Sequence, residues 1–284
     1  CKRIAQRTGV DIPAEDVERI LKSLYFGVER DGDALTVTVP DFRMDVDGEA
    51  DLSEEVLRIY GYDKIPGTLL RGETTPGGRN DRMRLKDDLA EQLQGMGFYE
   101  IMNFSFVSPK DIEKLNLPAD DARLKPLQIR NPLGEDTSVM RSTLAPGMLK
   151  TLALNMNRGN EMARLYEAAA VFDPLHPTAE GLPTETQTLC LGMYGKDADF
   201  YALRGAVERL LHHRGIAFEI VAGGESYHHP GRCAKLMHED KVVCVLGEVH
   251  PAVRENFDMP ARALIAELNL ATIAELSRPM GAVK

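Results

Sequence analysis

The chain has only four cysteines, Cys1, Cys190, Cys233 and Cys244, and none forms a Cys-x-x-Cys pair. This spacing argues against a disulfide framework and reads as reduced thiols of a cytoplasmic protein. No run of about 18 apolar residues occurs, so no membrane-spanning helix is expected. The start, Cys1-Lys2-Arg3-Ile4-Ala5, lacks both an initiator Met and a signal-peptide core, and is expected to be a cut from a longer chain. There is no Gly-x-x-x-x-Gly-Lys phosphate loop, no Gly-x-Ser-x-Gly elbow and no Cys/His nucleophile pattern. Basic residues are also in deficit, with 34 Lys and Arg against 44 Asp and Glu, a formal net charge of −10. Residues 1–70 carry 9 basic and 15 acidic side chains, a net of −6, and the remainder 25 and 29, a net of −4. Neither part has the basic imbalance of a general nucleic-acid binder, whose affinity rests on Lys and Arg contacts to phosphate.

With 284 residues the chain exceeds the usual single-domain size, and two domains are expected. Residues 1–70 read as a small α+β domain. A helix after Pro13 carries Val17, Ile20, Leu21 and Leu24 at helical spacing. Phe26-Gly27-Val28, a turn at Asp31-Gly32-Asp33, and alternating Leu35, Val37 and Val39 read as a hairpin, and an acidic helix follows. Residues 71–81 are rich in turn formers and read as a linker. Residues 82–276 form the second domain, with 277–284 as a tail. Helices are expected at 83–96, closed by Gly97, from Pro146 to 157, and at 199–214. Strands are expected at 99–106, 164–172, 188–194, 218–221, 233–237, 242–248 and 264–270. Hairpin-joined strands with separate long helices predict an antiparallel sheet with helices on one side.

The richest segment is Asp41-Phe42-Arg43-Met44-Asp45 with the helix from Asp51 to the Tyr60-Gly61-Tyr62 exit. At about 100° per residue, Asp51, Glu54, Glu55 and Arg58 share one stripe, and Leu52, Val56, Ile59 and Tyr60 another. Asp45 can be carried by the incoming loop towards the first turn. Four carboxylates so gathered repel one another unless a cation enters, and a hard ion such as Mg²⁺ would relieve them. Asp51-x-x-Glu54 also has the spacing of a capping box, with the other acids favoured at the helix's positive end. Spacing alone favours capping and a solvated acidic face; the two readings are compatible.

The same residues carry a resemblance. Residues 39–45 through 54–62, then Asn131-Pro132-Leu133, the run from Ser138 to Leu149, Asn155-Met156-Asn157-Arg158-Gly159 and His229-Pro230-Gly231-Arg232 resemble the beta subunit of bacterial phenylalanine–tRNA ligase, in that family's order. The likeness covers nearly the whole chain. It implies an α+β fold in which a small winged-helix-like domain precedes a class II aminoacyl-tRNA synthetase-like antiparallel sheet with flanking helices. It implies Mg²⁺ at Asp45, Asp51, Glu54 and Glu55, at the contact with the alpha subunit. It also implies an α₂β₂ enzyme that joins phenylalanine to tRNA with ATP, in which the beta chain is longer than this one, with tRNA-binding and editing modules before this region and an anticodon-binding domain after it.

Active class II enzymes hold phosphate with an arginine at a strand end and a Gly-rich third motif ending in arginine. Here the matching strand, Arg164-Leu165-Tyr166-Glu167-Ala168-Ala169-Ala170, has an acid near that position, and the family's Gly-Arg pair is replaced by Ala169-Ala170. No glycine occurs between Gly247 and Gly281, so the third motif is missing. The segment is therefore expected to be a structural and interface module with no catalytic residue, which does not itself bind ATP. Rival readings are a residual active ligase domain and a nucleic-acid-binding module. Arg141 suits an ion pair better than an anion site. His228, His229, Cys233 and His238 suit surface positions beside a Pro230-Gly231 turn better than a zinc site.

Overall fold

A computed structural model describes residues 1–173 and 175–278; of the 277–284 tail, residues 279–284 lie outside the described residues. The chain divides into two compact units, Cys1–Gly77 and Gly78–Lys284.

In the first unit α1 (Lys2–Thr8) and α2 (Ala14–Ser23) precede a hairpin of β1 (Gly27–Asp31) and β2 (Ala34–Thr38), and α3 (Glu49–Tyr60) ends it. Asp31 pairs with Ala34, leaving Gly32-Asp33 as a two-residue turn in which Gly32 takes φ 59°. Glycine adopts that left-handed backbone without a Cβ penalty. Val17, Ile20 and Leu21 of α2 pack with Phe26, Val46 and Val56 of α3 in one core. The stripe Leu52, Val56, Ile59 and Tyr60 is only partly realised: Val56 is buried and Ile59 is exposed.

The second unit is a seven-stranded sheet ordered β3-β6-β7-β11-β10-β9-β8. Its long strands are β6 (Ala163–Asp173), β7 (Thr184–Tyr194), β9 (His228–His238), β10 (Lys241–Val249) and β11 (Leu264–Asn269), with short β3 (Tyr99–Glu100) and β8 (Glu219–Ala222) at the edges. All neighbours run antiparallel except β3, which lies parallel to β6. The continuous strand expected at 99–106 is broken. Only Tyr99 and Glu100 join the sheet, while β4 (Phe106–Val107) pairs with β5 (Val139–Met140) in a separate ladder.

Helices cover both faces of this sheet, which corrects the expectation of one. On the first face α4 (Asp81–Gly95), α7 (Phe200–His213) and α9 (Leu270–Leu276) pack over Leu189, Leu191 and Met193. On the second, α5 (Pro109–Glu113), α6 (Ala145–Asn157) and α8 (Pro251–Asn256) pack with Leu165, Cys190, Tyr194 and Ile265. The reason lies in the strands. Leu189-Cys190-Leu191-Gly192-Met193-Tyr194 is apolar on every residue, the signature of a strand buried on both faces.

Pro230-Gly231, read above as a turn, lies inside β9. Cys233 faces Gly247 and His228 faces Val249, so the register jumps here and the extra residues form a bulge. A bulge accommodates a proline that a regular ladder would reject.

Helix α6 approaches β7 where Gly192 lacks a side chain; a Cβ there would sit 2.5 Å from Met148 Sδ and 3.0 Å from Leu152 Cδ1. Gly192→Ala is expected to cost about 1–3 kcal/mol by overpacking. At Gly205 in α7 an added Cβ meets nothing within 4 Å, and Gly205→Ala is expected to stabilise by about 0.5–1 kcal/mol through helix propensity. Urea denaturation of both variants measures the contrast.

Candidate functional site

In the first unit the acidic segment is organised by an arginine. The loop before α3 places Arg43 so that Nε and Nη2 donate to Asp45 Oδ1 and Oδ2 at 2.9 and 2.7 Å. Its Nη1 donates to Glu55 Oε2 at 2.9 Å, and its Nη2 lies 2.9 Å from Glu55 Oε1. Arg58 donates to Glu55 Oε2 through Nε and Nη2 at 3.0 and 2.6 Å. The guanidinium of Arg43 also lies over the Phe26 ring, 5.5 Å from its centroid. Hydrogen bonds from Arg43 hold the Asp45 carboxyl down to about 2, and those from Arg43 and then Arg58 hold Glu55 at about 2.

The four expected metal ligands are thereby dispersed. Asp45 and Glu55 face Arg43. Asp51 Oδ2 accepts from the backbone N–H groups of Asp47 and Gly48 at 3.0 and 2.9 Å. Asp51 is therefore at the third position of a helix that starts at Glu49 with Gly48 as its cap, one turn earlier than its spacing with Glu54 suggests. Glu54 is exposed, whereas Glu55, its neighbour on the expected stripe, is 7% exposed. The described residues contain no group of three or more His, Cys, Asp or Glu side chains able to hold a metal ion. As they stand, these carboxylates do not fit Mg²⁺, because Asp45, Asp51 and Glu55 already accept from cationic or amide donors and only the exposed Glu54 is left.

In the second unit the register sets Glu167 of β6 beside Cys190 of β7, and Cys190 beside Glu267 of β11. All three point to the second face of the sheet. Over them runs the segment from β5 into α6. Arg141 Nη1 donates to Glu167 Oε1 at 2.8 Å, and Asn103 donates to Glu167 through its backbone N and Nδ2 at 3.1 and 2.7 Å. Arg141 Nε donates to the Ala170 carbonyl at 2.8 Å. Arg141 and Glu167 are 6% and 2% exposed, so the expected ion pair exists and is buried. Glu267 accepts from Thr143 Oγ1 at 2.8 Å, the Leu144 backbone N at 3.0 Å and the Tyr227 hydroxyl at 2.6 Å. Burial, with Glu267 beside it, pushes the Tyr227 hydroxyl well above its ordinary value. Burial, with Glu267 and Glu167 beside it, does the same to the Cys190 thiol.

Next to this row a cleft of about 310 Å³ opens on the sheet, lined by Arg123, Thr143, Val171, Glu225, Glu267 and Asn269 among others. Arg123 is the one cationic residue among its described lining residues. Its Nη2 lies 2.7 Å from Asp121 Oδ2 and 2.6 Å from Glu225 Oε2. Burial opposes its charge, but these two carboxylates outweigh burial and raise its pKa. At the end of β11, Asn269 caps α9 by accepting from the Ala271 and Thr272 N–H groups. A triphosphate entering this cleft would meet carboxylates and, among the described lining residues, no free guanidinium.

The histidines do not form a metal site. His228 is 3% exposed, not on the surface as expected, and its Nδ1 accepts from the Glu225 N–H at 3.0 Å. His229 Nδ1 accepts from the Gly231 N–H at 3.1 Å, and His238 Nδ1 lies 2.6 Å from the Ala217 carbonyl. Sequence reasoning did not single out Glu267, Tyr227, Thr143, Arg123 or the role of Arg43. The signal for Glu267 was present as a lone acid within the otherwise apolar run Leu264-Ile265-Ala266.

The described part of the second unit thus has the layout of an aminoacyl-tRNA synthetase-like antiparallel sheet. Two solved structures share it: pyrrolysyl-tRNA synthetase from Desulfitobacterium hafniense, 16% identical with TM-score 0.57 over 69% of this chain and 68% of that one, and a second structure of that enzyme, 15% identical with TM-score 0.55 over 71% and 74%. Identity at this level establishes fold alone. Residues 65–270 match the phenylalanyl tRNA synthetase beta chain CLM domain, and residues 1–62 the tRNA synthetase B5 domain. The chain belongs to the phenylalanyl-tRNA synthetase beta chain family. Phenylalanine–tRNA ligase beta subunits from Clostridium tetani and Neisseria gonorrhoeae are 39% and 32% identical over 92% and 97% of this chain, covering 33% and 35% of their own length. The chain therefore spans about a third of the length of these curated relatives.

Two outcomes follow from the buried groups. Arg141→Met should cost about 3–5 kcal/mol by stranding Glu167, and Arg141→Met with Glu167→Leu should recover much of that loss in chemical denaturation. Burial holds His228 down to about 4 from 6.5. The unfolded chain then binds the extra proton first, so stability should fall by up to roughly 3 kcal/mol between pH 6.5 and pH 4. His228→Asn, which keeps an acceptor for the Glu225 N–H, should flatten that part of the thermal-melting profile.

Proposed function

We propose that this chain is the central part of a phenylalanine–tRNA ligase beta subunit and acts there as a non-catalytic structural and interface module. The whole enzyme would attach phenylalanine to its tRNA with ATP in the cytoplasm, as an α₂β₂ assembly whose alpha subunit carries the chemistry. The observation that carries this reading is the neutralised cleft, where Arg123 is held by Asp121 and Glu225. Adenylate formation needs cationic groups where phosphate charge accumulates, and none is free among the described lining residues.

The edge of the sheet supports the interface role. Leaving α4, the chain exposes Tyr99, Met102 and Phe104 at 75%, 91% and 84% of their surface. Large apolar side chains so grouped at a sheet edge, where backbone groups are unpaired, mark a docking surface. An alpha subunit seated there would cover both. Among the described residues no helix is long and apolar enough to cross a membrane.

The helix–hairpin–helix arrangement of the first unit is compatible with a winged-helix-like description, which motivates the nucleic-acid-binding reading. The net charge of −6 over residues 1–70 opposes it. Mg²⁺ at Asp45, Asp51, Glu54 and Glu55 forms no part of the proposed role, since three of these four carboxylates are already engaged within the unit.

Two assays on the chain test the reading. ATP–pyrophosphate exchange should be absent, and its presence would establish a residual ligase instead. Mixed with a matching alpha subunit, the chain should form a stable complex by size-exclusion chromatography. Replacing Tyr99, Met102 and Phe104 by serine should weaken that complex by about 2 kcal/mol or more.

A further inference from the structure

The acidic segment of the first unit concentrates charge. Residues 41–55 hold seven carboxylates, at Asp41, Asp45, Asp47, Glu49, Asp51, Glu54 and Glu55, against the single cation Arg43. Such a segment calls for a counter-cation, and one is already built in. Asp45 takes one fork of the Arg43 guanidinium, through Nε and Nη2, and Glu55 takes the other, through Nη1 and Nη2. Three of its five N–H donors are thereby hydrogen-bonded, and Nη2 also lies 2.9 Å from Glu55 Oε1. Arg58 closes the remaining side of Glu55. Phe26 beneath the guanidinium holds the plane in place.

We infer that Arg43 is the resident cation of this segment, standing where a divalent ion would have to enter, so that metal and guanidinium exclude one another at Asp45 and Glu55. The geometry carries the inference. Asp45 and Glu55 are each already paired with an arginine, Arg43 for both and Arg58 for Glu55, so a divalent ion would have to displace a guanidinium to reach either carboxylate. Mg²⁺ requires oxygens at about 2.0–2.1 Å in near-octahedral order and gives up its water reluctantly. Glu55, almost wholly buried, has both oxygens committed to arginine. Asp51 is turned onto the backbone at the start of α3 and would have to release two N–H groups. Glu54 alone stands free, and one exposed carboxylate is no metal site. The first unit accordingly keeps its fold without a metal, and affinity for one appears only when Arg43 is removed.

Mn²⁺, a paramagnetic substitute for Mg²⁺, tests this. It is titrated without nucleotide into the chain and into the complete subunit bound to its partner subunit, with free Mn²⁺ read by electron paramagnetic resonance. The native protein and Asp45→Asn should give the same isotherm. Arg43→Met should gain a site at least about tenfold tighter than any in the native segment, and adding Asp45→Asn and Glu55→Gln should remove it. Circular dichroism confirms that each variant is folded. The comparison of native protein with Asp45→Asn alters only an exposed side chain and stands even if Arg43→Met fails to fold. A saturable native site that Asp45→Asn abolishes would overturn the inference, as would a folded Arg43→Met that gains no site.

Discussion

The second unit depends on neutralising two carboxylates that its sheet forces inward. Glu167 and Glu267 lie on the same face as Cys190, in a layer otherwise made of Leu165, Tyr194 and Ile265. An ionised carboxylate there, left unpaired, would cost several kilocalories per mole. Residues 141–144 supply the compensation, with Arg141 for one acid, and Thr143 and the Leu144 N–H for the other. The short connection from β5 to α6 is thus fixed in place by electrostatics as much as by packing. Its position in turn seats Met148 and Leu152 over Gly192.

The same chemistry recurs in the first unit on a smaller scale. Arg43 joins the loop before α3 to Glu55 in the helix, and Phe26 from the start of the hairpin supports it. In both units an arginine is committed to an internal acid: Arg141, for which sequence favours an ion pair, and Arg43, which sequence leaves unassigned. A shared fold does not by itself carry an activity.

Much of this was legible in the residues. The helix capped by Asp199, the hairpin around Gly32 and the strand expected at 264–270, which ends at Asn269 where α9 begins, all announce themselves by periodicity and turn chemistry. What stayed hidden depends on partners far away in sequence. Glu267 is held by Thr143 and Leu144, over a hundred positions earlier, and by Tyr227, 40 positions earlier. The cover on the second sheet face was signalled by the unbroken apolar run Leu189 to Tyr194 of β7, which alternation-based reading passed over. Pro230-Gly231 has the composition of a turn, yet lies in a bulge that only the neighbouring β10 reveals. In the acidic helix, spacing grouped Glu54 with Glu55, but adjacent residues lie about 100° apart, and here that rotation separates solvent from core.

The thiol of Cys190 is buried between Glu167 and Glu267, so the thiolate, the only form that reacts readily with oxidants or electrophiles, is suppressed. Its inertness is a property of the assembled sheet and vanishes once the strands separate. Chemical modification at this sulfur therefore records how often the middle of the sheet comes apart, and the chain carries its own clock for that rare opening.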